Sequence, residues 1–312
     1  MLPFILRASF RRVKLFSLAV ACISLVILYW IGEKAESLFF ILHVFTLGIA
    51  HGALDRWMFN IANPSKPIRK LTFYSSYLLI VGLIILLWWF SESTALILFI
   101  IYSAWHFGEV EWNHLFKKVK QVQNGYAFFW GLFLFSSMFY LNSSETVQVI
   151  NIFSDLAISS VDFSLQTTFI IIIAWLSYSL IPFILKWTDA KNVVIQMANV
   201  LALSLIFYFF NLAISFAVFF FYFHSLPSLS FELKSIDKSC FRPANYKSIL
   251  MEMILLSLIP LLGGIGFILL DEKSLIETVL PVLIILGSAI SFPHTFIYAW
   301  AVRRTSDSGK SR

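Results

Sequence analysis

Four of the six histidines in the chain sit in short stretches that could carry chemistry: HGALD at His51, WHFGE at His106, FYFHS at His224 and FPHTF at His294. Each stretch lies within, or at the end of, a segment apolar enough to span a bilayer. An ionisable side chain at membrane depth is costly, so it marks a functional site by default. Neutral imidazole suits iron, copper and zinc, and four imidazoles brought together would make a metal site. His43 and His114 read as structural: the first belongs to the middle of an apolar span, the second to a membrane edge beside Lys117 and Lys118.

The neighbouring residues support a site. A ligating histidine usually passes its second N–H to a carboxylate or a carbonyl. Asp55, four residues after His51 and on the same helix face, and Glu109, three residues after His106, are candidates for that role. Pairing of Asp55 with Arg56 or with an interfacial lysine is the alternative. Gly48, Gly52 and Gly108 would let helices approach closely around the site. Pro293 removes one backbone hydrogen bond just before His294. HExxH, GxSxG, Walker A and CxxCH patterns are absent, as are the paired histidine boxes of membrane desaturases.

These residues need elements to hold them. Of 312 residues 59% are hydrophobic and 13% charged, against about 25% charged in soluble domains. This is the composition of an all-α integral membrane protein. Ten spans near the ~20 residues a bilayer requires can be drawn, at 15–32, 37–58, 71–90, 94–114, 124–141, 166–186, 191–210, 212–228, 247–270 and 275–302. With both termini cytoplasmic, nearly all of the 23 basic residues fall on the inner side; only Lys34 and Lys273 do not. The chain then reads as one membrane domain, 1–312. It has a basic cytoplasmic N-terminus (1–14), an outer loop (142–165), an inner loop (229–246) and a flexible tail (305–312). The hairpin between the seventh and eighth spans turns at Asn211. The net charge of +6 follows this topology, and there is no aromatic-interleaved basic groove for nucleic acid. Spans two, four, eight and ten all run the same way, and each carries its histidine toward the inner end. The four imidazoles therefore share a depth.

HGALDRW, WHFGEVEW, FYFHSLP and FPHTFIYAW together resemble the Brp/Blh family of membrane β-carotene 15,15′-dioxygenases, over roughly spans two to ten. The resemblance implies an enzyme of the cell inner membrane that uses Fe(2+) and O2 to split β-carotene at its central double bond. Two all-trans-retinal molecules would result, with hand-over to a rhodopsin as a further implication. It assigns the iron and the catalysis to His51, His106 and His224. The third stretch of the family usually reads HxxxH, and Ser228 stands here where the second histidine would be. His294 is then the conditional fourth ligand. A rigid apolar polyene would enter from membrane lipid into an aromatic-lined tunnel, for which Trp105, Phe107, Phe221, Tyr222, Phe223 and Tyr298 are candidate walls. Two other readings stay open at this point: a carotenoid- or retinal-binding member with weak or no cleavage, suggested by Ser228, and a bis-histidine haem protein.

Overall fold

The computed structural model describes residues 8–32, 36–48, 51–112, 115–116, 121–154, 165–239, 246–270 and 280–308. The side chain of His51 lies outside the description, as do His114, Lys34, Lys117, Lys118, Lys120, Lys273 and the loop residues 155–164 and 240–245. Every regular element among the described residues is helical. In chain order these are α1 (Phe10–Ile31), α2 (Glu36–His43), a π segment (Val44–Gly48), a 3-10 turn (His51–Leu54), α3 (Asp55–Ala62), α4 (Lys70–Phe90), α5 (Glu92–Trp112) and α6 (Gln121–Leu141). Then follow α7 (Ser143–Phe153), α8 (Leu165–Ile184), α9 (Ala190–Phe209), α10 (Leu212–Val218), a second π segment (Phe219–Ser225), α11 (Leu226–Asp237), α12 (Lys247–Leu270) and α13 (Leu280–Ser308).

Seven helices among the described residues are long and apolar enough to cross a membrane, compared with the ten spans read from the sequence. Outward-facing leucine, isoleucine, phenylalanine and tryptophan on α1, α4 and α8 fit lipid contact. The second expected span, 37–58, is not one helix. It breaks at Thr46, whose φ of −85° and ψ of −107° lie outside the helical region, and it resumes only through the 3-10 turn at His51. Irregular backbone at membrane depth is tolerated where protein buries it or a cavity adjoins it.

Three boundaries differ from the sequence reading. The N-terminal segment is already helical from Phe10, capped by Ser9, and Lys14 is buried rather than bathed in solvent. Residues 229–237, expected in the inner loop, continue as α11 and bury Leu229, Glu232, Leu233 and Ile236. The last helix runs on to Ser308, through part of the expected tail. The turn at Asn211 is present: Phe210 ends α9, and the Asn211 side chain accepts the Ile214 N–H at 2.9 Å, capping α10.

The helix carrying His106 is held in place by a close crossing. A Cβ added at Gly108 would overlap the Ala127 carbonyl oxygen, and one at Gly131 would overlap that of Ala104. α5 and α6 thus touch backbone to backbone at two points, four residues apart on each helix. Small residues permit this approach, which gains dispersion energy over the whole seam. Gly108→Ala should lower stability by the upper part of the ~1–3 kcal/mol usual for overpacking, because the clashing partner is backbone. Gly125→Ala, on the same helix α6 with open space around its Cβ, should leave the thermal midpoint in detergent unchanged.

Candidate metal centre and its cavity

His224 owes its setting to Pro227. Proline has no N–H and its ring crowds the preceding turn, so the helix widens: the Leu226 N–H bonds the Phe221 carbonyl, five residues back. Such π turns inside α-helices are frequent at functional sites. His294 follows Pro293 in α13. Two carbonyls near that proline are taken by tyrosines of other helices. The Tyr77 hydroxyl lies 2.8 Å from the Ile290 carbonyl and the Tyr102 hydroxyl 2.6 Å from that of Ser288.

The structure brings His106, His224 and His294 together from α5, the π segment and α13. All three are buried. The His106 ring centroid lies 4.9 Å from that of His224 and 5.0 Å from that of His294, with the rings nearly perpendicular. With metal–nitrogen bonds near 2.1 Å, two imidazoles at neighbouring positions on one metal have centroids roughly 4.6–5.3 Å apart, and two on opposite sides roughly 6.5 Å apart. The observed spacings match neighbouring positions. A haem sandwiched between two histidines would need the larger value. As they stand, no three His, Cys, Asp or Glu side chains among the described residues close into a coordination set. The donor chemistry and the pairwise spacing fit a metal, with His106 in the middle of the set.

Asp55 supplies the carboxylate, but to His294 rather than to the histidine of its own stretch. His294 Nδ1 donates to Asp55 Oδ1 at 2.6 Å, so Nε2 carries the lone pair. The Tyr77 hydroxyl lies 3.1 Å from Asp55 Oδ2. Arg56, the alternative partner of Asp55, is instead 3.7 Å from Glu252. Gly52 sits beside the pair: a Cβ there would be 3.9 Å from His294 Nδ1. Asp55→Asn removes the charge that orients and polarises this ring. It should weaken binding of an added divalent metal by about 10–100-fold, measured by competition with a chelator.

Glu109 is buried on α5 near the Tyr298 hydroxyl, as are Glu232 and Glu111. Glu232 escaped the sequence reading. It is fully buried on α11, with no hydrogen-bond partner for either carboxylate oxygen among the described residues. It stands two helical turns after His224 and one after Ser228, a spacing that could have exposed it. Ser228 is fully buried beside Tyr298. Lys14, Glu111 and Gln196 form a second polar cluster near this end, also unforeseen: Lys14 Nζ donates to Glu111 Oε2 at 2.5 Å and to Gln196 Oε1 at 2.9 Å.

His43 takes no part in the histidine group. Its Nδ1 is 2.7 Å from the Phe39 carbonyl, which can only accept, so Nδ1 holds the proton. Its Nε2 then accepts from the Tyr222 hydroxyl at 2.9 Å, and the Ser24 hydroxyl lies 2.5 Å from that oxygen in turn.

The three histidines line one end of an apolar cavity of about 220 Å³. Its wall includes Phe99, Phe107, Phe135, Phe139, Phe216 and Phe220. Of the six aromatic residues proposed for the tunnel, Phe107 alone is part of it. Trp105 packs on Phe296, Phe221 and Tyr222 surround His43, and Tyr298 lies on the far side of His106 toward Phe231. Phe223 is buried away from the cavity wall.

A family model described as beta-carotene 15,15′-dioxygenase matches residues 42–301, a segment that includes all four histidine stretches and every cavity-lining residue except Phe40. No curated protein and no solved structure matches the chain. With five-sixths of its length covered by that match, the chain belongs to the beta-carotene 15,15′-dioxygenase family.

Proposed function

We propose that the protein is a membrane enzyme that cleaves β-carotene at its central double bond with O2, using Fe(2+) held by His106, His224 and His294. His51 is the further ligand that the family resemblance assigns. The observation that carries this reading is the meeting of three buried imidazoles, from three separate helices, at the end of an aromatic-lined apolar cavity.

The reaction balances without protons or an added reductant. One C=C bond and the O–O bond break, and two C=O bonds form. Each alkene carbon gives up two electrons and O2 accepts four. Iron bound here would supply the one-electron steps that let O2 react with a closed-shell alkene. The chain does the rest. Three neutral imidazoles leave positions open on a metal, and Asp55 fixes the His294 tautomer so that Nε2 faces inward. Phe107 meets the His224 ring edge-on and Phe220 stacks on it, at 4.5 and 5.6 Å between centroids, and the two keep water from the polyene.

Ser228 favours no loss of activity on this reading. His294 beside His106 supplies the imidazole that position 228 lacks. The second reading, a carotenoid binder without cleavage, is distinguished by expression in bacteria that make β-carotene. Cleavage removes the colour and yields retinal; a binder leaves the carotene intact in the membrane fraction.

A further inference from the structure

The cavity leads away from the histidines along three helices. Its wall reaches Leu96 on α5, ten residues before His106, and Leu283 on α13, eleven before His294. At 1.5 Å per residue these positions are about 15–17 Å from the histidine level. There the wall is completed by Thr146, Val149 and Ile150 of α7, which lies across the end of the cavity. α7 is fixed at both ends. At its start the Asn142 side chain donates to the Phe207 carbonyl at 3.2 Å, and Glu145 accepts the Leu212 N–H at 2.6 Å. At its close the Ser93 hydroxyl donates to the Phe153 carbonyl at 3.2 Å and Trp88 packs on the Phe153 ring.

We propose that α7 is an end stop, with Val149 and Ile150 as its contact residues, that sets which double bond of the polyene rests at the histidines. The proposal rests on carotene cleavage as read above. Two quantities point to it. A C40 carotene is about as long as the hydrocarbon core is thick, ~30 Å, so half of it matches the distance from the histidines to α7. The cavity volume of about 220 Å³ is below the ~300–1,000 Å³ of sites that enclose a whole drug-sized ligand. It has room for part of the substrate. One half of the chain enters until its ring meets α7, the central bond then lies at the histidines, and the other half stays outside this cavity. Specificity for the central bond is in this account a length measurement by the protein and requires no polar group on the substrate.

The test moves the stop. Ile150→Trp raises it, and Gly287→Leu fills the cavity partway up, where an added Cβ meets nothing within 4 Å and folding is not challenged. Ile150→Ala lowers it. Products from β-carotene are separated by chain length. The raised stops should cut nearer the inserted end, giving an aldehyde shorter than retinal and a complementary longer one; Ile150→Ala should move the cut past the centre, which on the symmetric substrate also gives an unequal pair in place of two retinal molecules. Retinal as the sole product of all three, with only the rate altered, would overturn the proposal. The metal-free full-length variants give a second readout through binding of retinal and of a shorter polyene aldehyde. Ile150→Trp should weaken retinal at least about tenfold while sparing the shorter chain; equal affinities for both lengths, as in the unsubstituted protein, would also overturn it. If the unsubstituted protein leaves carotene uncut while Ile150→Trp still discriminates by length, the stop stands and the reaction falls. If the unsubstituted protein cuts carotene while Ile150→Trp is blind to length, the reverse holds.

Discussion

On the function proposed above, His106→Ala is expected to abolish carotene cleavage and to prevent metal binding at the histidine group. The His106 ring is the one that lies at metal-sharing distance from both others, 4.9 Å from His224 and 5.0 Å from His294. Removing it takes away the ring that both other histidines meet. Loss of an outer carboxylate partner costs 10–100-fold in metal affinity, so loss of the central ligand should cost at least about 10²-fold in iron retained after dialysis, with activity falling in step. The alanine also opens a gap in the cavity wall, and stability must therefore be read separately. His43→Gln is the control. It disturbs the Phe39 and Tyr222 hydrogen bonds, worth about 1 kcal/mol each, and the ring contacts with Phe39 and Phe221, and should retain iron and turnover. If His43→Gln lost iron and His106→Ala kept it, the assignment of the site would be wrong.

Lys14→Met should be the most destabilising single change outside the site. Lys14 and Glu111 form a buried ion pair between α1 and α5, with Gln196 of α9 bonded to both. Glu111 Oε1 already has no hydrogen-bond partner among the described residues. Breaking such a pair from one side leaves a buried charge uncompensated and costs about 3–5 kcal/mol. The thermal midpoint should fall by on the order of 10 °C. Lys14→Met combined with Glu111→Leu should recover most of that loss, because an apolar pair of similar size needs no desolvation of charge. Equal destabilisation by the single and the double variants would mean that the pair is not what joins α1 to α5.

The sequence made the histidines legible because a charge-capable side chain in an apolar span has few innocent explanations. It also made the α9–α10 turn legible, since Asn211 is a strong cap and ended a run too long for one span. Lys14 was hidden by that same logic. A buried lysine near the start of a span looks the same as one placed there by the positive-inside rule. Residues 229–237 misled for a related reason: Lys234 and Lys238 drew them toward solvent. In the structure Lys234 reaches the Ala8 carbonyl and Ser230 with its ammonium while Leu233 and Ile236 pack inward.

The cavity wall shows a different limit. The aromatic residues chosen for it were mostly those next to the histidines in sequence. On a helix an adjacent residue points about 100° away, whereas residues three, four, seven or eight apart share a face. Ser103 and Phe99 before His106, Phe220 and Phe216 before His224, and Ser291, Ile290 and Gly287 before His294 all obey that spacing and line the cavity. Asp55 illustrates what no spacing rule reaches. Its bond to His294 joins residues 239 positions apart, and only the packing of α3 against α13 reveals it.

The most direct test of the account is a single-turnover assay on the purified full-length protein, stripped of metal and reloaded with Fe(2+) or Zn(2+), given β-carotene and O2. The account predicts two retinal molecules for each carotene consumed with Fe(2+) and none with Zn(2+), which binds imidazole equally well but has no redox chemistry. Carotene left unchanged by the fully iron-loaded protein, or cleaved equally with zinc, would contradict it.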